Sequence, residues 1–222
     1  MRHEFNHSRR RMLAGSLAVG VVAISSVGRL QAAELLRTPR QTPGPFYPVR
    51  LPLDSDNDLV TMDGRSGLAK GEIANVVGRI LDERGRPVPR ARVEIWQCDA
   101  NGRYHHPGDQ RNVPLDPNFQ GYGRFETGND GAYRFRTIKP VPYPGRAPHI
   151  HFAISGPGIE PLITQMYVAG APENNHDWIL NDIRDTRARE SLIISFGQHA
   201  GVPGELTGKF DIVLVADGRF NS

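Results

Sequence analysis

The sequence predicts an all-β fold, a β-sandwich with an extended N-terminal arm and little helix, and three observations carry that prediction. From residue 73 onward, apolar, β-branched and aromatic residues fall in short runs separated by Gly- and Pro-containing turns. Only "NHDWILNDI" (175–183) carries a helical pattern, and it is short. Residues 34–72, including "TPRQTPGPFYPVRLPLDSDNDL", are rich in Pro, Gly and Asp and follow neither the helical nor the strand period. A chain of 222 residues with 38% hydrophobic and 23% charged residues can build one well-cored domain.

Residues 1–33 come first: "RRRMLAGSLAVGVVAISSV" places Arg9, Arg10 and Arg11 before an apolar run, and small residues follow in "LQAAE". That order is the one of an export signal, and twin arginines before Met12 and Leu13 fit its Tat form. The expected location is therefore periplasmic or secreted. Residues 34–72 read as an arm wrapped on the body, with Phe46 and Tyr47 as anchors, and residues 73–222 as the sandwich domain. Within it the patterns predict strands at 75–81, 91–98, 132–138, 149–155, 163–168, 191–196 and 210–216. Turns are expected at Arg84-Gly85 and Asn101-Gly102.

Charge and cysteine content exclude several roles. The first 33 residues hold five arginines and one acid, so without them 27 basic and 24 acidic residues become 22 and 23. A near-neutral chain gives no electrostatic ground for a nucleic-acid or membrane-surface partner. Cys98 is the single cysteine, so no internal disulfide can form. Alternation places it beside Trp96 on one strand face, where a small buried hydrophobe is expected rather than a nucleophile.

The chemistry-bearing candidates lie in "GRAPHIHFAISG" (145–156). Residues i and i+2 of a strand share a face, so His149 and His151 point the same way, a spacing that suits two imidazoles on one metal. A pair of polar side chains on a wet sheet face has the same spacing. Tyr143, between prolines in "PVPYPG", and Tyr104, after a tight turn in "DANGRYHHPGD", could supply oxygen ligands. Taken singly, either tyrosine reads better as a loop anchor with its hydroxyl tied to a backbone group. A phenol ionises near neutrality only where a strong Lewis acid replaces its proton, which points to ferric iron. His105 and His106 read as neighbours of the site or surface residues, and His176 as solvated. Asp54, Asp56 and Asp58 lack the Gly and terminal Glu of a calcium loop.

The runs "TPGPFYP", "VEIWQCDANGRYHH", "PLDPNFQGYGRFETGNDGAYRFRTIKPVPYP", "RAPHIHFAISGPG", "LITQMY" and "FDIVL" together resemble the intradiol ring-cleavage dioxygenases, within them the protocatechuate 3,4-dioxygenase β-subunit group. The resemblance implies a sandwich holding non-haem Fe(III) through Tyr104, Tyr143, His149 and His151, and cleavage of a catechol-type ring between its two hydroxyls with O2 to a cis,cis-muconate-type diacid. It implies that Tyr143 yields its place to substrate, that Arg146 stabilises charge developing on the ring, and that Gln165 lies near the substrate. The implied partners are the catechol and O2, and a homo-oligomer is compatible with them. Gly145 departs from that group, which has a tryptophan there lining the pocket. The competing expectation is an exported transthyretin-like β-sandwich binding module without catalytic iron. A zinc site on the same histidines is a third, weakened by the lack of a nearby carboxylate base.

Overall fold

A computed structural model describes residues 34–52 and 54–215, so the segment read as a signal peptide lies outside the described residues. In chain order the strands are β1 (Ile73–Asp82), β2 (Arg92–Trp96), β3 (Tyr122–Glu126), β4 (Ala132–Ile138), β5 (His149–Ser155), β6 (Leu162–Val168), β7 (Ile193–Ile194), β8 (Phe196–Gln198), β9 (Leu206–Lys209) and β10 (Ile212–Leu214). A 3-10 turn (Pro172–Asn175) and two short helices, α1 (Trp178–Asn181) and α2 (Thr186–Glu190), lie between β6 and β7.

β1 organises one sheet. β4 pairs with it antiparallel on one side, and β9 and β10 pair parallel to it in succession on the other, with β8 outside β9. Between β9 and β10 the Phe210 amide bonds the Val77 carbonyl at 2.8 Å. There the backbone crowds Gly78 so closely that a Cβ would come within 1.9 Å of the Phe210 oxygen, so only glycine fits. The second sheet has the order β3-β2-β5-β6-β7.

The core lies between the sheets. Val93 and Ile95 of β2 and Ile150, Phe152 and Ile154 of β5 face Val76 and Ile80 of β1 and Phe135 of β4, all essentially inaccessible. Phe152 packs edge-on to Phe210 and Tyr133, with centroids 5.2 and 6.0 Å away. Each such buried side chain contributes about 1.5–3 kcal/mol. The alternate residues of β5 face outward, yet His149 and His151 are also buried. A second apolar cluster of Trp96, Cys98, Tyr104 and Tyr122, joined by Phe46 and Tyr143, covers that outer face. Cys98 is buried beside Trp96, with its thiol pushed up to about 12 by burial.

Residues 34–52 run along the body through backbone bonds from Leu35, Thr38 and Gln41 to Glu83, Val213 and Ile163. Phe46 stacks on Tyr104 at 4.7 Å, and Tyr47 meets Trp96 edge-on at 5.0 Å.

Several elements differ from the sequence expectation. β3 was not expected, because "QGYGRFETG" carries glycines that weaken a strand pattern; a Cβ at Gly123 would meet the Asp56 carbonyl at 2.6 Å. The run 191–196 is not one strand: β7 joins the second sheet and β8 the first, so the chain changes sheets at Ser195. The helix expected over 175–183 contracts to α1, capped by Asp177, and α2 follows without a periodic signal long enough to reveal it.

Candidate metal centre

β5 presents both imidazoles to the covered face, and pairing places Trp96 beside His151 and Tyr167 beside His149. The Trp96 indole lies parallel to the His151 ring, 4.8 Å away and within 3°, which fixes the imidazole plane. His149 is held from behind, its Nδ1 2.6 Å from the Ala147 carbonyl. Nδ1–H therefore donates there, and Nε2 keeps its lone pair facing His151 Nε2 at 3.2 Å.

Tyr104 is placed by a turn built on a buried carboxylate. Asp99 accepts the Asn101, Arg103 and Asp116 amides at 2.9, 3.0 and 2.8 Å, while Gly102 closes the turn at φ +76°. The Tyr104 amide is then tied to Asp109 at 2.8 Å. Tyr143 sits in a loop closed by the Arg146 amide on its carbonyl at 2.9 Å. The four rings close on one another: Tyr104–Tyr143 5.7 Å, Tyr143–His149 5.5 Å, His149–His151 4.8 Å and His151–Tyr104 6.3 Å between centroids. All four residues expected as ligands thus meet at one place.

The donor set fits a metal. The Tyr104 hydroxyl is buried with no hydrogen-bond partner, a costly state that a bound cation would relieve. Burial, and next the neighbouring Arg146 cation, lowers His149 to about 3; burial and the adjacent His149 hold His151 well below its ordinary value. Both imidazoles are therefore neutral, as ligands must be. Burial raises Tyr104 and Tyr143, so these phenols stay protonated unless a Lewis acid displaces the proton. No group of three His, Cys, Asp or Glu side chains suited to a metal occurs among the described residues. A metal held here by more than the two imidazoles would draw on the phenol oxygens, donors that suit a hard ion.

Arg146 and Gln165 also converge on this centre. Arg146 donates to Gln165 Oε1 at 2.5 Å, to the Tyr167 hydroxyl at 3.3 Å and to the Tyr143 hydroxyl at 3.5 Å. Gln165 Nε2 in turn donates to the Thr42 carbonyl at 3.0 Å, tying the arm to the site. Gly44, at φ +66°, lets the arm pass over His151, since a Cβ there would meet the ring at 3.3 Å. Gly145 adopts φ +82°, and a Cβ there would meet nothing within 4 Å, so space is open beside it.

Sequence reasoning missed other contributors. Arg111, paired with Asp109, lies 4.7 Å above the Tyr143 ring. With Phe46 and Pro144 it lines a cavity of about 370 Å³ beside Tyr143. Asp177, fully buried, holds Arg146 Nε at 2.9 Å. "HDWIL" carries a helix-cap signal for Asp177 but nothing that points to the site. His105 and His176 are exposed, and the His106 Nδ1 accepts the Gly108 amide; none of them touches the four rings through a hydrogen bond. Asp54, Asp56 and Asp58 accept nearby amides as turn residues.

A β-sandwich that buries two imidazoles and one phenol, with a second phenol half-buried beside them, on the outer face of one sheet is a scaffold for a non-haem metal with nitrogen and oxygen ligands. Residues 42–216 match the family model described as dioxygenase. The protocatechuate 3,4-dioxygenase beta chain of Burkholderia cepacia is 44% identical over 168 residues, covering 72% of this chain and 71% of that one. The hydroxyquinol 1,2-dioxygenase of Corynebacterium glutamicum is 32% identical over 77% of this chain but only 61% of its own length, so this chain spans less than two thirds of that relative. The dioxygenase domain of a carbohydrate-binding fusion protein from Streptomyces sp. SirexAA-E superposes with a TM-score of 0.63 at 29% identity, over 81% of this chain and 99% of that domain. The chain belongs to the intradiol ring-cleavage dioxygenases, a non-haem iron-dependent family. Membership sets aside the expectation of a binding module without catalytic function.

Proposed function

We propose that this protein holds Fe(III) through Tyr104, Tyr143, His149 and His151 and uses O2 to open a catechol-type ring between its two hydroxyls, giving a cis,cis-muconate-type diacid. The observation that carries the reading is the approach of these four rings to one another, together with the buried, unpartnered Tyr104 hydroxyl. Ferric iron bound there supplies a Lewis acid that binds a catecholate and raises its reactivity towards O2. Protocatechuate and related catechols are the substrate class that the relatives support.

The chain's own residues do the rest. His149, with Nδ1–H committed to Ala147, offers only Nε2. Tyr143 is the least enclosed of the four, bordering the cavity that Arg111 lines, and is the phenol able to leave and take up a substrate proton. Arg146, kept cationic among Gln165, Tyr167 and Asp177, faces the Tyr143 hydroxyl and stabilises negative charge developing on the ring. Gln165, anchored to Thr42, fixes that guanidinium and borders the substrate. Trp96, Phe46 and Gly44 close the inner side against water. The open space at Gly145 leaves room for a ring substituent. Export by the Tat route to the periplasm or beyond belongs to the same reading, supported by the arginine-led apolar run of residues 9–27.

Oxygen uptake with catechol, protocatechuate, hydroxyquinol and larger catechols tests the proposal. One O2 consumed per ring, with a muconate-type diacid formed, is expected for at least one of them. Iron-loaded protein that consumes no O2 with any, or that breaks the ring outside the two hydroxyls, would contradict it.

A further inference from the structure

Asp177 is the one carboxylate in contact with Arg146 among the described residues, and its two oxygens do different jobs. Oδ1 caps α1, accepting the Ile179 and Leu180 amides at 3.1 and 3.0 Å. Oδ2 faces the opposite way, accepting Arg146 Nε at 2.9 Å and the Ala147 amide at 2.8 Å. The side chain is wholly buried, and that of Arg146 is 10% exposed. A cap alone needs only one oxygen acceptor, and Asn serves as well as Asp at that position. A buried negative charge beyond that requirement calls for a partner, and Arg146 is the partner present.

We infer that Asp177 is a positioning residue for ring cleavage: it anchors Arg146 by Nε so that the two Nη groups are left to face Gln165, Tyr167 and Tyr143. A guanidinium presents its donors in one plane, so fixing Nε fixes where the others point. Gln165 and the Tyr167 hydroxyl are neutral and set the in-plane rotation, while Asp177 sets position and balances charge. The Ala147 amide on the same oxygen pins the backbone between the arginine and His149, whose Nδ1 bonds the carbonyl of that same residue. α1 thus acts as a strut whose cap reaches the catalytic cation. The inference rests on the proposed role of Arg146.

Asp177→Asn is the informative substitution. Its amide oxygen keeps the cap, while its NH2 meets two donors in place of an acceptor. In the iron-loaded protein, kcat is expected to fall tenfold or more with KM changed less than threefold. Leu180→Ala loosens the same helix without touching Arg146 and is expected to lower Tm while leaving kcat within twofold. The pair is closed by Arg146→Ala, which strands the buried carboxylate, and by the double variant Arg146→Ala/Asp177→Asn, which removes both charges.

The double variant is expected to melt above Arg146→Ala alone and to cleave no more slowly than it does. A double variant that melts below both singles, or whose kcat is the product of the two separate losses, would overturn the inference. So would a Leu180→Ala loss of kcat equal to that of Asp177→Asn. The melting comparison does not depend on turnover, so it separates failure of this inference from failure of the proposed reaction.

Discussion

Tyr104 carries the sharpest residue-scale contradiction in the molecule. Its ring is well packed against Phe46 and Tyr143, yet its hydroxyl has no partner. Without metal that hydroxyl is a liability, so Tyr104→Phe should stabilise the metal-free protein by about 1 kcal/mol in urea unfolding. The same substitution should lower iron retention after dialysis by tenfold or more. Loss of stability in the metal-free variant would mean that the hydroxyl is satisfied in some other way. Arg146→Ala predicts a different pattern: iron content is retained while kcat falls by roughly a hundredfold or more, the order expected when a fixed charge-stabilising donor is lost. Steady-state kinetics beside an iron assay separate the two behaviours.

At the scale of elements, β5 and its neighbours show what sequence can and cannot announce. The same-face histidines were legible because a strand's period is two, and "HIH" stays in register from its first residue to its pairing with Gln165 and Tyr167. Asp177 was not legible as a site residue, because a helix cap is a local signal whereas its bond to Arg146 spans 31 residues. Arg111 was missed for the same reason: its place above Tyr143 exists only after the loop folds back. β3 was hidden by glycines kept for close approach rather than for flexibility. The break between β9 and β10 was equally silent, though Gly78 marks it. Gly78→Ala should cost at least about 3 kcal/mol or leave the protein insoluble, since the clash is with backbone that cannot move aside. Where β9 begins, Glu205 bonds Arg136 and Asn75, and these bonds hold its carboxyl below the ordinary value. A depressed carboxyl adds stability that is present above the unfolded value near 4.5 and is lost as pH falls through the lower folded one. Glu205→Gln should therefore lower stability by about 1 kcal/mol at pH 7 and by much less at pH 3, as read by urea midpoints at the two values.

Over the whole molecule, one sheet is made to serve two interiors. Its inner face builds the sandwich core, and its outer face is closed by the loops that carry Cys98, Tyr104, Val141 and Tyr143 and by Phe46 of the arm, so that the proposed metal centre lies in a second, aromatic interior. The arm therefore belongs to the site: Gly44, Phe46 and Thr42 touch or face its components. Phe46→Ala should cost about 3 kcal/mol or less, since the ring is only partly buried, and should weaken iron retention through the loss of its stack on Tyr104. The sandwich class and the same-face histidines could be expected from the sequence, because strand periods are local, whereas the joining of Tyr104 and Tyr143 to those histidines rested on the family resemblance of the quoted motifs. The crossing of the chain between sheets at Ser195, and the strut from α1 to Arg146, could not, because they depend on which distant elements meet. The central claim is that two phenolates and two imidazoles hold ferric iron in this covered face. The visible absorption spectrum of the iron-loaded protein tests it most directly: a broad tyrosinate-to-iron charge-transfer band is expected, shifting when a catechol is added and weakening in Tyr104→Phe and Tyr143→Phe. A colourless protein with full iron occupancy would contradict it.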